Sequence, residues 1–446
     1  MTHESTCPVT GTDNGDGASR GLSRREFGKV AVAIGGPAAL AACVDRGGDP
    51  DVPEGGDPSD LPERQHAWNA FLDRDEHGNV TAPRHHVVLL LEYARDGRAT
   101  DEDRETVERA FRGIERAYEW SNDGLLFTVG YSPAYFGRFD EDLPASVDLP
   151  EPRALAPFEA PELDRPDAVV HLASDHPEVV LEAEEALFGA VGAANGVTLD
   201  GTLDGVFERP PVEDTTVRRT GFVGAGLPKG NREVTGIPDD ASVDEDAPMY
   251  MNFKSDFERS QASEDRVTIE RGPFADGTTQ QLSKLRLHLD QWYEQDSRYQ
   301  RVGKMFCPFH AEEGLVEGPG DNLGADSRLD GECIDDIEEQ AGEFGMVGHG
   351  QKLAAGARRD GQPLLLRRDF DSTDDGFAGL HFLALQARIS DFVDTREAMN
   401  GEEVADRSGV GQQLNNGILQ YLTVQRRGNY LLPPRAHRAL PAPDPQ

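Results

Sequence analysis

The chain has 446 residues, 37% of them hydrophobic and 20 of them Phe, enough to fill the core of one large domain or two ordinary ones. Its 82 acidic residues against 44 basic ones leave a formal net charge of -38, which argues against phosphate backbones as partners, so no nucleic acid is expected. Only six of the bases are lysine, and the acids are spread along the whole body, as suits a heavily hydrated surface whose self-repulsion is screened by concentrated salt.

Residues 1–43 read as a targeting segment. Ser23-Arg24-Arg25-Glu26-Phe27 carries twin arginines, and the apolar run from Val30 to Ala42 is too short and glycine-rich to span a bilayer stably. The run ends in Leu40-Ala41-Ala42-Cys43, which resembles a lipobox. The expectation is export by the twin-arginine route, with lipid on Cys43 holding the mature chain to the outer face of the cytoplasmic membrane. Residues 44–83, rich in Asp, Gly, Pro and Glu, read as a solvated linker.

From 84 to 225 the pattern gives strands at 85–93, 124–131, 167–173 and 214–223. A helix starts at Asp101, capped by Thr100 and Asp101, and another runs from His176-Pro177 to near Leu187. This β-α-β-β-α-β order is the ferredoxin-like unit. A polar insertion, 226–266, precedes a second unit over 267–437. There a strand runs from Thr278 to Leu289 and a helix from Asp290 to near Lys304. A loop-rich stretch, 306–345, holds a short helix near Cys333–Phe344, and strands follow at 364–370 and 379–386. A helix near 390–400 and a last strand at 418–425 complete the unit. The fold class is therefore α+β, with duplicated ferredoxin-like units whose helices pack on antiparallel sheets.

Of the four cysteines, Cys7 and Cys43 belong to the targeting segment. Cys307 and Cys333 remain and are candidates for one disulfide in an oxidising compartment. Cys307-Pro308-Phe309-His310 is at most half of a metal site, with no second pair to complete it. His310, beside Glu312 and Glu313, is expected on a solvated loop, and His381, inside a strand, in the hydrogen-bonded core. His85 and His86 open a strand, and one of them should face the sheet. His349 stands on a glycine-flanked turn, Met346-Val347-Gly348-His349-Gly350-Gln351, eighteen residues before Arg367. A neutral imidazole is a good axial iron ligand, and a guanidinium is a permanent donor able to polarise a bound peroxide. Arg367 and Arg368 end an apolar strand and must point to opposite faces.

The stretches Gly124 to Phe136 and Trp292-Tyr293-Glu294-Gln295-Asp296, then His349, Arg367 and Gly379-Leu380-His381-Phe382, resemble in order and spacing the dye-decolourising peroxidase family. The resemblance spans residues 84–437. It implies a dimeric α+β barrel made from the two units and haem b held by His349 as proximal iron ligand. It also makes Arg367 the distal catalytic residue against the cofactor, reducing hydrogen peroxide with a small-molecule reductant. One departure stands out: where the family has G-x-x-D-G, this chain has Gly221-Phe222-Val223-Gly224-Ala225. Gly224 occupies the place of the aspartate that takes the proton from peroxide. Asp276 is a look-alike in Gly272–Gly277, although it reads better as a turn before a strand. The charge pattern resembles that of haloarchaeal proteins. Two other readings remain open: a haem-binding or haem-handling lipoprotein without turnover, and a cofactor-free structural descendant of the fold.

Overall fold

The structure, a computed structural model, describes residues 51–445, so the targeting segment at 1–43 lies outside the described residues. Strand β1 (His85–Leu91) is buried along its whole length, as an unbroken apolar run requires when both faces of a sheet are covered. Helix α1 (Asp101–Ala117) opens with a capping box. The Thr100 hydroxyl accepts from the Asp103 amide at 3.1 Å, and the Asp103 carboxylate takes the Thr100 amide, also at 3.1 Å. Its apolar face (Val107, Phe111, Ile114) is buried on the sheet. Strands β2 (Leu126–Tyr131) and β3 (Ala168–Ser174), helix α2 (Pro177–Leu187) and strand β4 (Arg218–Phe222) complete the first unit in the expected order.

The second unit opens with β5 (Thr278–Leu287). The single helix expected from Asp290 is instead broken. A π-type turn, Gln291–Gln295, precedes α3 (Arg298–Met305), because Ser297 caps a new helix through Gln300 and buried Asp296 is held by Lys304 at 2.9 Å. Helix α4 (Ile337–Phe344) is followed by α5 (His349–Gly356), so His349 starts a helix where a turn was expected. Strands β6 (Leu366–Arg367) and β7 (Phe370–Ser372) are two pieces of one register against β8 (Gly379–Gln386), with Leu366 opposite Leu385 and Phe370 opposite His381. Helix α6 (Ile389–Asn400) and β9 (Leu422–Leu432) end the unit. The last strand starts later than the apolar pattern implied. Leu419–Tyr421 form a 3-10 turn packed on Trp292, and the polar run Gln425 to Asn429 takes the strand position.

Within the first unit the strands are ordered β4-β1-β3-β2, and within the second β9-β5-β8-β7, all antiparallel. Pairing of β7 with β4 and of β9 with β2 joins the two sheets at both edges, so eight strands close into one barrel. Closure removes the free edges that an open sheet would expose. An apolar cluster fills the barrel interior (Val88, Leu90, Leu282, Phe370, Leu383, Tyr430), and a larger one lies between the first sheet and α1 and α2. Part of the stretch expected as a solvated linker packs on this body: Trp68 is buried and Gln65 Nε2 donates to the Pro433 carbonyl at 2.8 Å. Among the described residues no helix is long and apolar enough to cross a membrane.

Candidate functional site

On the outer face of the second sheet, where the first unit has a packed core, lies a cavity of about 430 Å³. Its floor is made by side chains at alternate positions of three strands: Ser283, Leu285 and Leu287, then Leu380 and Phe382, then Leu422 and Val424. A bulge between Val424 and Arg426 resets the alternation, so Arg427 also faces the cavity. Helices α5 and α6 and the segment 249–260 form the roof.

His349 and Arg367, named from sequence as iron ligand and distal donor, line this one cavity from the helical roof and the strand floor respectively. Gly348 precedes His349 where a Cβ would lie 1.9 Å from the Phe306 carbonyl oxygen, so only glycine lets the turn pass there. The turn is pinned from the other side by Val347, whose carbonyl accepts from Gly417 at 2.9 Å. His349 is half-buried and lines the cavity. Burial first, then the cations Lys352, Arg367 and Arg396, push its imidazole down to about 3, leaving it neutral at any working pH. Its Nδ1 is buried without a hydrogen-bond partner.

The face assignment of the paired arginines follows from strand alternation. Arg368 turns away from the cavity: it donates to the His66 carbonyl at 2.6 Å and lies 4.1 Å over the Trp68 ring. Arg367 faces the cavity, its guanidinium donating to the Ser255 carbonyl and forming no salt bridge among the described residues. Two residues on, Asp369 projects into the same space, and Asp371 lines it as well. Burial raises the carboxyl of Asp369, with Arg367 opposing, and raises that of Asp371 well above the ordinary range. Asp256, behind this wall, is also raised by burial and leaves Oδ1 unpartnered. The charge of Asp369 pushes Asp256 and Asp371 up further.

The sequence reading assigned none of these acids to the site, although Asp369 and Asp371 stand at Arg367 plus two and plus four. It also missed Glu159, which reaches from the first unit to pair with Arg396 at 2.7 Å and Arg427 at 2.9 Å, closing one side of the cavity. Asp276 is not brought to the site; it sits on a turn with φ 66° and pairs with Arg64 at 2.9 Å. Gly224 has φ 58° and is not among the cavity walls. His381 is a buried interior residue bonded to Asp374 at 3.0 Å, as expected. His310 is not solvated. It is buried, its Nε2 donating to the Ser327 carbonyl at 2.8 Å, with Nδ1 3.0 Å and 3.1 Å from the sulfurs of Cys307 and Cys333. Those two cysteines form a disulfide that spans 26 residues.

Residues 83–434 match the model of a family described as "Family of unknown function (DUF7405)". Among curated proteins, none matches the chain. Among solved structures, the chain is similar to a dye-decolorizing protein from V. cholerae, at 13% identity, 83% coverage of this chain and 98% of that one, with a TM-score of 0.51. DyPB from Rhodococcus jostii RHA1 is similar at 14% identity, 81% and 96% coverage and a TM-score of 0.52; a variant of that protein is solved in complex with heme. Ferric DtpA from Streptomyces lividans is similar at 18% identity, 82% and 92% coverage and a TM-score of 0.51. At these identities the likeness establishes the fold: the chain has the architecture of the dye-decolourising peroxidases.

Proposed function

The chain belongs to the DUF7405 family, and we propose that it is a haem-dependent peroxidase similar to the dye-decolourising enzymes, with His349 as iron ligand and Arg367 as distal donor. The observation that carries this reading is the convergence of both residues on one cavity of the barrel fold. The cavity lies within the size range of cofactor pockets, about 300–1,000 Å³. Its walls are mainly apolar, as a porphyrin requires. His349 is held neutral, the state in which an imidazole nitrogen can bind a metal. Arg358, exposed at the rim and without a carboxylate partner among the described residues, suits a porphyrin carboxylate.

Haem, when bound, supplies the redox chemistry; the chain's residues bind, orient and exclude. Arg367 cannot lose its proton, so it acts as a fixed donor meeting the charge that grows on peroxide oxygen. The apolar floor (Leu285, Leu380, Phe382) keeps water from competing for that donor. A second reading, a haem-handling protein without turnover, is favoured by one feature: His349 Nδ1 has no acceptor, whereas ligating histidines ordinarily donate there to a carboxylate or carbonyl.

The visible spectrum of the chain purified in concentrated salt tests the reading. A Soret band is expected that is lost or shifted in His349→Ala and little altered in His381→Ala; equal spectra for wild type and His349→Ala would refute iron ligation. Peroxide consumption with a small phenol or dye separates turnover from handling. Delivery by the twin-arginine route and anchoring through Cys43 are part of the proposal, and Cys43→Ser should release the protein from membranes.

A further inference from the structure

We infer that Asp369 is the group that takes the proton from peroxide in this chain, in place of the carboxylate absent at Gly224. The inference rests on the haem-peroxidase reading above and identifies a residue it did not name. Arg367 and Asp369 lie two apart in a continuous register, from Leu366 opposite Leu385 to Phe370 opposite His381. Their side chains therefore leave the same face of the strand, their Cα atoms roughly 7 Å apart. Both line the cavity, and no salt bridge joins Arg367 to any acid among the described residues. A permanent donor and a carboxyl thus face one space side by side, neither consumed by the other.

Glu159, also a cavity wall, is paired with Arg396 and Arg427, and the remaining rival acids are disqualified by position or partner. Asp371 accepts the Tyr250 amide at 2.5 Å and is buried. Asp256 is not a cavity wall. Asp276 is tied to Arg64 outside the site. The three carboxyls at 256, 369 and 371 do not converge as a cation site, since the one convergent set of possible ligands among the described residues is Cys307, His310 and Cys333. Burial raises the Asp369 carboxyl while Arg367 opposes that rise, and Asp256 and Asp371 are raised by burial with Asp369 adding to it.

In the step, one O–H bond of hydrogen peroxide breaks and a new O–H bond forms on the Asp369 carboxylate. The hydroperoxide left behind has its charge met by Arg367, and no electron moves. Cyanide entering as hydrogen cyanide must give up its proton in the same way, which provides a readout independent of turnover.

The test compares wild type, Asp369→Asn, Asp369→Glu and, as an outside control, Asp276→Asn, each as the full chain loaded with haem b. Stopped-flow mixing with peroxide, and separately with cyanide, is followed across pH. Asp369→Asn should keep the Soret band and slow both reactions near neutral pH by about a hundredfold or more. The deficit should shrink at high pH as peroxide and hydrogen cyanide ionise unaided. Asp369→Glu should recover part of the rate, and Asp276→Asn should match wild type. Asp369→Asn within twofold of wild type in both reactions, with its Soret band intact, overturns the assignment alone. A wild type that takes up no haem overturns the haem reading and this assignment with it. Should the Asn variant not load haem, Asp369→Glu decides: an unshifted pH profile for both reactions refutes the role.

Discussion

The strand that carries the site is backed, on its barrel-interior face, by a titratable group whose energetics can be worked out. His86 stacks on Phe370 at 4.5 Å with its ring nearly parallel, and Phe370 lies between Asp369 and Asp371 in sequence. His86 Nε2 is 2.7 Å from the Pro83 carbonyl and must donate to it, so Nδ1 accepts from His171 Nε2 at 3.0 Å. Burial pushes the His86 imidazole from 6.5 to about 3, against the raising effect of the Pro83 carbonyl. The unfolded chain therefore takes up a proton below pH 6.5 that the folded chain refuses, and stability is lost as pH falls from there towards 3. Each pH unit in that window is worth about 1.4 kcal/mol per group, so going from pH 7 to pH 5 removes about 2 kcal/mol through His86 alone. Buried acids such as Asp371 titrate with the opposite sign, so the wild-type curve by itself is not diagnostic. His86→Leu isolates the term: whatever its constant packing cost, its stability relative to wild type should improve by about 2 kcal/mol between pH 7 and pH 5. Urea titrations in concentrated salt at pH 7, 6 and 5 measure this. Parallel curves for the two proteins would show that His86 is not held neutral.

The paired arginines should separate in stability. Arg368→Leu removes a buried cation from the His66 carbonyl, the Trp68 ring and Glu264, and should cost about 3 kcal/mol; Arg367→Leu should cost less than about 1 kcal/mol, and chemical denaturation showing the reverse order would contradict the face assignment. Gly224→Asp should fail to install a working acid, because φ is 58° there and the position is not a cavity wall; a stability loss of about 1 kcal/mol is expected with no faster reaction with peroxide. With a net charge of -38, the fold should loosen on dialysis from molar salt into dilute buffer; unchanged circular dichroism and melting temperature would refute this.

Periodicity made most of the fold legible. The first unit follows its pattern because each strand or helix there answers to one local signal: an apolar run, or the Thr100 cap. The second unit departs where tertiary partners override that signal. Asp296, buried against Lys304, ends the expected helix after Trp292, and the polar residues of β9 are strand because Glu159 and Asp164 neutralise Arg427 and Arg426. At the candidate site, the resemblance paired His349 with Arg367, which line one cavity, and period two placed the second arginine on the other face. Glu159 was not, since its partners lie well over two hundred residues away. His310 was misread because neighbouring acids suggested solvent, while the disulfide beside it folds that loop inward.

Duplication alone would give two equivalent outer faces, yet the first is filled by packed core and the second holds the cavity, and the difference lies in the crossover after the first strand of each unit. In the first unit that crossover is α1, a 17-residue amphipathic helix whose Val107, Phe111 and Ile114 fill the space above the sheet. In the second unit the equivalent connection is broken into short pieces, α3, α4 and the eight-residue α5, none able to lay a continuous apolar face on the strands. The floor stays uncovered, and the roof is assembled from helix ends and loops that present His349 rather than a row of aliphatics. Charge follows the same asymmetry. A packed interface has no room for Arg367 or Asp369, whereas a chamber lets alternate strand positions carry them without burying an unsatisfied ion against hydrocarbon. The space and the polar residues around it are thus two consequences of one change, the replacement of a long helix by short ones.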